Sequence, residues 1–306
     1  MIELENLTKE FERLTAVDGI DLQVGAGEVL ALLGPNGAGK TTTVRMLSAI
    51  LRPTAGRATV AGYDVVEESL EVRRRVGVLT EAPGLYTRMT GREYLDFFGE
   101  VRGLSSRERR TRIAELSRSF FMEGVLDRRL GEYSKGMAQK VALMRTLLHQ
   151  PPVLLLDEPT SAMDPQSARL VRDTILQLRS SRRAIIVCTH NLGEAEELAD
   201  RIAIIRQGRI VAAGTIDDLR TQLLGPPVME VRFTPSSDDG VALLVGQFAE
   251  VLDAGNLWVR FRADVPEEIN PRILQALLDA GIKVSTLNEV PRSLESIYLR
   301  VVGEGA

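Results

Sequence analysis

The sequence predicts an α/β fold in which helices flank a parallel sheet, with a small α+β domain at the C-terminal end. Apolar runs of strand length alternate with longer amphipathic segments, a glycine-rich loop follows the first run, and a helix-breaking LLGPP lies at 223–227. Near-continuous apolar runs are typical of strands that are covered on both faces. The four runs are EVLALLG (28–34), PVLLLDE (152–158), RAIIVCTH (183–190) and RIAIIRQG (201–208).

The composition is that of an ordinary soluble protein and excludes several classes of function. The chain has 306 residues, of which 44% are hydrophobic and 26% charged, and its net charge of -4 gives no reason to expect nucleic acid as a partner. A single cysteine, Cys188, excludes an internal disulfide framework and suits a reducing cytosol. Two histidines and one cysteine are too few for the usual structural zinc site.

The apolar runs are also too short for a membrane span. The longest are strand-sized, whereas crossing a bilayer takes about 20 apolar residues. The start, MIELENLTKE, lacks the basic and apolar regions of a signal peptide. We therefore expect any work at a membrane to be done from the water side.

The remaining elements follow in chain order. Residues of about 90–150 have a helical texture, and the arginine-rich stretch at 105–120 is interleaved with Glu108 and Glu115, which favours a solvated helix face over a nucleic-acid patch. We expect a larger domain at 1–222, with a helical subdomain at about 90–150, and an accessory domain at 228–306. In the latter, VMEVRF (228–233) and NLWVRF (256–261) alternate like strands, NPRILQALLDAGI (270–282) is an amphipathic helix, and SLESIYLRVV closes a domain of ferredoxin-like type.

The glycine-rich loop predicts a phosphate site. GPNGAGKT, Gly34 to Thr41, fits G-x-x-x-x-G-K-[ST] and lies between a strand and the helical segment TTTVRMLSAIL. Glycines let the backbone turn its N–H groups towards phosphate oxygens, and the helix N-terminus adds a partial positive charge. Lys40 is expected to reach the β- and γ-phosphates, and the Thr41 hydroxyl to bind Mg²⁺.

Two acidic residues at the end of another strand complete the predicted chemistry. Asp157 ends the apolar run VLLLD, the usual place for an aspartate that holds Mg²⁺. Glu158 follows directly and can orient the attacking water and accept its proton. An acid at the start of a helix is the alternative, but the phosphate loop favours catalysis.

The motif order carries a family resemblance. The phosphate loop, YSKGMAQ (133–139), LLLDEPTSAMD (154–164) and VCTH (187–190) resemble the nucleotide-binding subunits of ABC transporters, from the N-terminus to about Gly214. In that family two such domains meet head to tail with two ATP molecules between them. Each ATP touches the phosphate loop of one subunit and the signature segment of the other. TEAPGLY and YSKGM look most like the ABC-2 type exporter class, which includes drug and sodium-ion efflux ATPases.

The resemblance implies further site residues. His190 matches the switch histidine that contacts the γ-phosphate, and Asp164 lies in the loop that crosses to the partner subunit. Phe11 matches the aromatic that stacks on adenine, with a core phenylalanine as the alternative. The signature departs from the common Leu-Ser-Gly-Gly-Gln form, because Lys135 and Met137 replace a glycine and the glutamine. The expected nucleotide contacts are Phe11, Gly34, Pro35, Asn36, Gly37, Ala38, Gly39, Lys40, Thr41, Thr42, Ser134, Gly136, Met137 and Asp164, with Thr41, Glu81 and Asp157 at the metal.

Glu81 stands where the family normally carries glutamine, after the apolar stretch that contains Val76 and Leu79. A carboxylate can still bind the metal. It also adds negative charge near the γ-phosphate, which lowers nucleotide affinity unless a cation offsets it. The stretch after it, PGLYTRMTGREYLDFFG, is expected to form the groove for a coupling helix of the membrane subunit, with Leu85, Tyr86 and Met89 as apolar contacts.

The resemblance implies an ATPase subunit that powers export through a separate transmembrane permease. We expect it to bind ATP and Mg²⁺, to form a homodimer or heterodimer with a second ATP-binding subunit, and to lie in the cytoplasm on the inner face of the cell membrane. One alternative is a soluble ATPase of this type that acts on ribosomes or nucleic acid, although the chain has one phosphate loop and no long heptad run. Another is a nucleotide sensor without turnover.

Overall fold

A computed structural model describes residues 1–82, 84–161, 163–179, 182–234, 240–291, 294–295 and 297–298. The chain forms two compact units, Met1–Ile216 and Asp217–Ala306. The sequence places the boundary at 223–227, after a helix, whereas the division in the structure falls at the start of that helix.

The strands and helices of the first unit are numbered along the chain. Its strands are β1 (Ile2–Phe11), β2 (Leu14–Val24), β3 (Val29–Leu33), β4 (Ala55–Val60), β5 (Tyr63–Asp64), β6 (Val76–Leu79), β7 (Val153–Asp157), β8 (Ala184–Thr189), β9 (Arg201–Arg206) and β10 (Arg209–Gly214). Its helices are α1 (Lys40–Leu47), α2 (Ser69–Arg75), α3 (Gly91–Val101), α4 (Ser106–Ser119), α5 (Lys135–Leu147), α6 (Pro165–Leu178) and α7 (Leu192–Leu198), and α8 (Ile216–Leu224) follows at the boundary.

The predicted parallel sheet is confirmed. Six strands lie in the order β10-β9-β3-β8-β7-β6, and the five from β9 to β6 run parallel while β10 is antiparallel. The four apolar runs of the sequence form neighbouring strands at its centre, and every residue of β3, β7 and β8 is buried. The carboxyl ends of these strands therefore meet at one edge of the sheet, where the phosphate loop begins.

Each face of this sheet has its own core, because alternate residues of a strand point to opposite faces. On one face, residues such as Leu32 and Ile186 pack with Met46 of α1 and with a second, antiparallel sheet of order β2-β1-β4-β5. On the other face, Leu156 and Val187 pack with the helical segment formed by α3, α4 and α5. Capping boxes start α3 and α4, and in α4 Glu108 supplies the carboxylate.

The second unit has the predicted ferredoxin-like arrangement. Its elements are β11 (Val228–Phe233), α9 (Val241–Val245), β12 (Glu250–Gly255), β13 (Trp258–Arg262), α10 (Pro266–Asp279) and β14 (Val284–Glu289). This is a βαββαβ sequence with strand order β12-β13-β11-β14, and all its pairs are antiparallel. Val231, Phe261 and Leu277 lie in its core. Most of the predicted closing segment SLESIYLRVV lies outside the described residues.

No helix in the described part of the chain combines the length and the apolar character that a membrane span needs.

Candidate active site

The phosphate loop leaves β3 at Gly34 and enters α1 at Lys40. A Cβ atom on Gly34 would lie 2.3 Å from the Ile205 carbonyl oxygen, and one on Gly39 would lie 2.5 Å from that of Ala16. Gly39 also has a φ of 112°, which favours glycine. It is the N-cap of α1 and offers no side-chain cap, so the first N–H groups of the helix are free of a capping side chain and suit an anion.

Lys40 lies inside this loop and is 6% exposed. Its Nζ donates to the carbonyl oxygens of Gly34 at 2.6 Å and Pro35 at 3.2 Å. The same ammonium lies 3.6 Å from Oε1 of Glu158. The loop therefore holds a buried positive charge against the carboxylate at the end of β7.

Thr41 and Asp157 form the second contact of the site. The Thr41 hydroxyl donates to Oδ2 of Asp157 at 2.7 Å, and Asp157 is 1% exposed. Its other oxygen, Oδ1, is buried without a hydrogen-bond partner in the described part of the chain. Burial raises the pKa of Asp157, as do the neighbouring carboxylates of Glu158 and Glu81, while the Thr41 hydrogen bond opposes the rise. An unpaired buried oxygen beside a hydroxyl is a fitting pair of ligands for a hard cation such as Mg²⁺.

Glu158 and His190 form the third contact. Oε1 of Glu158 lies 2.9 Å from Nδ1 of His190, whose side chain is 55% exposed. Glu158 itself is buried, donates its backbone N–H to Cys188 O at 2.9 Å and has a φ of 51°. A non-glycine residue in this region is strained, and such strain clusters at functional sites. With Nδ1–H donated to the carboxylate, Nε2 of His190 is left for a ligand.

Glu81 is exposed just after β6. Its carboxylate is near enough to Asp157 to contribute to the raised pKa of that group. Glu81 thus adds a third carboxylate to the neighbourhood of Asp157 and Glu158. No three His, Cys, Asp or Glu side chains of the described ranges converge into a metal-binding group of their own, so a cation here would need further ligands from phosphate or water.

The predicted signature residues form a second group around the start of α5. Ser134 is the N-cap, and its hydroxyl oxygen accepts from Met137 N at 3.2 Å while its proton remains available to donate. Gly136 is buried, and a Cβ on it would lie 3.9 Å from Oδ2 of Asp164. Asp164 caps α6 by accepting from Ser167 N at 2.9 Å, a bond that lowers the pKa of Asp164. In the described ranges, no hydrogen bond or ion pair joins this group to Lys40 or Thr41.

The other predicted nucleotide contacts differ in their exposure to solvent. Phe11 ends β1 with 47% of its surface exposed, so the alternative of a core phenylalanine is wrong, and the ammonium of Lys9 lies 5.2 Å from its ring centre. In the phosphate loop Asn36 and Gly37 are exposed, whereas Ala38 is buried; Thr42 is half-buried on the first turn of α1.

The structure adds Glu194, which sequence reasoning missed. It lies on the first turn of α7, is 3% exposed, and its Oε1 accepts from the Thr160 hydroxyl at 2.7 Å. Burial raises the pKa of Glu194, and hydrogen bonds from Thr189 and Thr160 oppose the rise. The carboxyl group therefore links the segment after Glu158 to the end of β8, before His190. Asn191, which caps α7 one turn earlier, was the available signal for a helix start here.

Two further residues lie outside the site, Cys188 on β8 and His149 after α5. Cys188 is fully buried, which raises the pKa of its thiol well above the usual value, in keeping with inert packing. His149 bonds Val76 O through Nε2 at 3.1 Å, in keeping with a structural position.

Known proteins resemble the chain over most of its length. The family model described as ABC transporter matches residues 17–161. The daunorubicin resistance ATP-binding protein DrrA2 of Streptomyces coeruleorubidus is 36% identical over 305 residues, covering 99% of this chain and 95% of that protein. The ABC transporter ATP-binding protein NatA of Bacillus subtilis is 40% identical over 224 residues, 72% of this chain and 91% of NatA. The Nod factor export ATP-binding protein I of Rhizobium sp. is 35% identical over 302 residues, 99% of this chain and 97% of that protein.

Solved structures agree on the fold. An ATP-binding subunit of an ABC transporter superposes with a TM-score of 0.69 at 31% identity, covering 74% of this chain and 94% of that one. The dimeric ATP-binding cassette MJ0796 bound to ADP and Pi gives 0.65 at 24% identity, covering 71% of this chain and 99% of that one, and this likeness concerns the fold alone. The chain belongs to the ABC transporter family, as an ATP-binding ATPase related to drug-resistance and export subunits.

Proposed function

We propose that the chain powers export across a membrane by driving a separate transmembrane permease. Two ATP-binding subunits close on two ATP molecules, and hydrolysis lets them open again. The observation that carries the chemical part is the position of the Glu158 carboxylate, 2.9 Å from His190 Nδ1 and 3.6 Å from Lys40 Nζ. The Glu158 carboxylate, the Lys40 ammonium and the exposed His190 imidazole therefore lie together beside the phosphate loop.

The residues have distinct roles in this proposal. Lys40 and the N–H groups at the start of α1 bind the phosphates. Glu158 orients a water molecule for attack on the γ-phosphorus and accepts its proton as the bond to the bridging oxygen breaks, leaving ADP and inorganic phosphate. His190, held through Nδ1 by Glu158, presents Nε2 to the γ-phosphate. Phe11 stacks on the adenine at the exposed end of β1.

The proposal includes Mg²⁺ because Thr41 and Asp157 offer oxygen ligands of the kind that this ion prefers. Thr41 and Asp157 would hold it, with Glu81 beside them, and the orphaned Oδ1 of Asp157 supports that assignment. The ion supplies charge neutralisation of the phosphate oxygens.

The second subunit completes each site. Ser134, Gly136 and Met137 at the start of α5, with Asp164, have no contact within the described ranges that places them at the phosphate loop, and Ser134 and Asp164 are exposed. We assign them to the nucleotide of a facing subunit, which would be a second copy or a related chain. The Ser134 hydroxyl keeps a proton to donate to the γ-phosphate.

Where a transmembrane protein is encoded beside this chain's gene, the test is reconstitution with that protein. We expect the two to co-purify in detergent, and in lipid vesicles we expect the permease to raise Mg²⁺-dependent ATP turnover of the wild type but not of Glu158→Gln. Turnover that responds to ribosomes or nucleic acid and ignores the permease would contradict the transport assignment. ATP binding without turnover in the full complex would indicate a sensor instead.

A further inference from the structure

Glu194 is a buried acid on a helix that has other means of support. Asn191 caps α7, because its side-chain oxygen accepts from Glu194 N at 3.1 Å. An ion pair between Arg172 and Glu197, 2.6 Å apart, ties α7 to α6. An acid on a first helical turn usually complements the positive end of the helix from the solvent. Glu194 is 3% exposed instead, and burial of a carboxyl group is unfavourable unless it is well paired. The stability of α7 therefore does not account for it.

The Glu194 carboxyl group joins two segments that are far apart in the sequence. Its Oε1 accepts from the Thr160 hydroxyl at 2.7 Å, and the Thr189 side chain forms a second hydrogen bond to the same group. Thr160 lies two residues after Glu158, and Thr189 lies directly before His190. The carboxyl group thus bridges the two segments that carry the proposed base and its imidazole partner.

One of the bridged segments contains a strained residue. Glu158 has a φ of 51°, and a non-glycine residue keeps such a conformation only where its surroundings enforce it. The next two residues are each held by a side chain: Gln139 Nε2 donates to Pro159 O at 3.3 Å, and Thr160 donates to Glu194. Gln139 belongs to α5 and Glu194 to α7, so two helices fix the backbone that follows the strained residue.

The bridge lies beside the contact on which the proposed chemistry depends. Glu158 Oε1 and His190 Nδ1 are 2.9 Å apart. Burial is the main cause of the raised pKa of Glu194, and the charge of Glu158 adds to it, so the two carboxyl groups are near neighbours. A movement of Thr160 relative to Thr189 would therefore change the distance between the proposed base and the imidazole.

We infer that Glu194 is a positioning residue for ATP hydrolysis and that it acts through Thr160 and Thr189. Its carboxyl group holds Glu158 and His190 at the separation that the reaction needs. The inference rests on the proposed role of Glu158 as the base and adds how that base is kept in place.

The test removes the bridge at its Thr160 end, where the change in the side chain is smallest. Thr160→Val deletes one hydroxyl, keeps a β-branched side chain, and leaves Glu194 bonded to Thr189. Glu194→Gln is the second variant, because an amide keeps the shape and one acceptor oxygen. Thr174→Val is the matched control, since the Thr174 hydroxyl donates at 2.7 Å to Leu170 O within α6.

Turnover should fall without loss of ATP binding. A displacement of about 1 Å at a reacting group can lower a rate by about 10²-fold, so we expect Thr160→Val to lower kcat by at least about tenfold. Glu194→Gln should lower it by less, and both variants should keep KM within about twofold of the wild type. Thr174→Val should keep both values. Introduced into Glu158→Gln, Thr160→Val should cause no further loss, because the group that it positions is already removed.

The ring signals of His190 give a readout that does not depend on turnover. The chain has two histidines, so NMR of the full chain labelled with ¹⁵N follows His149 and His190 separately, with His190→Asn for assignment. We expect the Nδ1 signal of His190 to move in Thr160→Val in the same direction as in Glu158→Gln. Thr174→Val should leave it in place.

Wild-type kcat in Thr160→Val overturns the inference. A lower kcat with unmoved His190 signals does so as well, and so does a loss that is equally large in the Glu158→Gln background, because either result indicates a merely structural role. Wild-type turnover by Glu158→Gln itself would instead contradict the proposed base. Neither measurement uses a permease, so a failed reconstitution leaves the result standing.

Discussion

Replacing Glu158 by glutamine removes the proposed base and leaves the shape of the site intact. The amide oxygen of the Glu158→Gln variant can still accept from His190 Nδ1, which lies 2.9 Å from the carboxylate in the wild type, but the amide cannot take a proton from water. General-base catalysis contributes about 10²–10⁴-fold, so we expect turnover to fall by that factor, which is roughly 3–5 kcal/mol of transition-state stabilisation.

The same substitution should not weaken ATP binding. The Lys40 and Glu158 charges lie 3.6 Å apart, and at an effective dielectric constant of about 20 their attraction is roughly 4–5 kcal/mol before desolvation is subtracted. The carboxylate therefore competes with phosphate for the ammonium. Without it, Lys40 keeps its bonds to Gly34 O and Pro35 O and is freer to bind phosphate.

The assay combines phosphate release at saturating ATP with calorimetric titration of ATP. Glu123→Gln is the control, because Glu123 is an exposed acid 4.0 Å from an exposed Arg118. A Glu158→Gln chain that keeps more than about a tenth of wild-type turnover would refute the assignment of the base. Loss of turnover together with loss of ATP binding would refute the reasoning about Lys40.

Three smaller predictions follow. Phe11→Ala should weaken ATP binding by about 1–3 kcal/mol at unchanged kcat, because a stacked base loses its aromatic partner; an unchanged KM would exclude stacking. Glu81→Gln should tighten binding of ATP with Mg²⁺. The Glu81 carboxylate raises the pKa of Asp157, so its removal favours the ionised form of Asp157 that would bind the metal. Weaker binding in calorimetry would contradict this. Burial raises the pKa of Glu194, so its share of the free energy of unfolding falls as pH rises from the usual carboxyl range through the raised value. Glu194→Gln should flatten that slope in urea titrations run upwards in pH from the usual carboxyl range, and an unchanged slope would contradict the assignment.

The proposed catalytic cluster was predictable because its residues come from short motifs at strand ends. Parallel strands present their carboxyl ends at one edge, so Lys40, Asp157 and His190 had to meet once the strands were recognised. The fully apolar β3, β7 and β8 made that recognition straightforward.

The sequence did not predict elements whose hydrophobic pattern is interrupted or very short. β1 pairs with β2 through register shifts between Leu4 and Leu7 and again up to Glu10, which interrupt the alternation that identifies a half-buried strand. α9 has five residues, too few to show a helical period.

Sites assembled from distant segments were also beyond the sequence. The Glu194 carboxyl group meets Thr160 across 34 residues. The cavity bordered by α2, β6, α3 and α5 draws its lining from segments between Ser48 and His149, and nothing in the local pattern of any one of them marks a shared cavity.

The central claim is that each ATP site needs residues from two chains. The most direct test measures ATP turnover of an equimolar mixture of Lys40→Ala and Ser134→Glu chains, each of which should be inactive alone. In a mixed head-to-tail dimer, one site has both defects and the other has neither, so we predict that turnover reappears on mixing and rises more steeply than linearly with protein concentration. A mixture that stays as inactive as its components, while each variant still dimerises with wild type, would contradict the account.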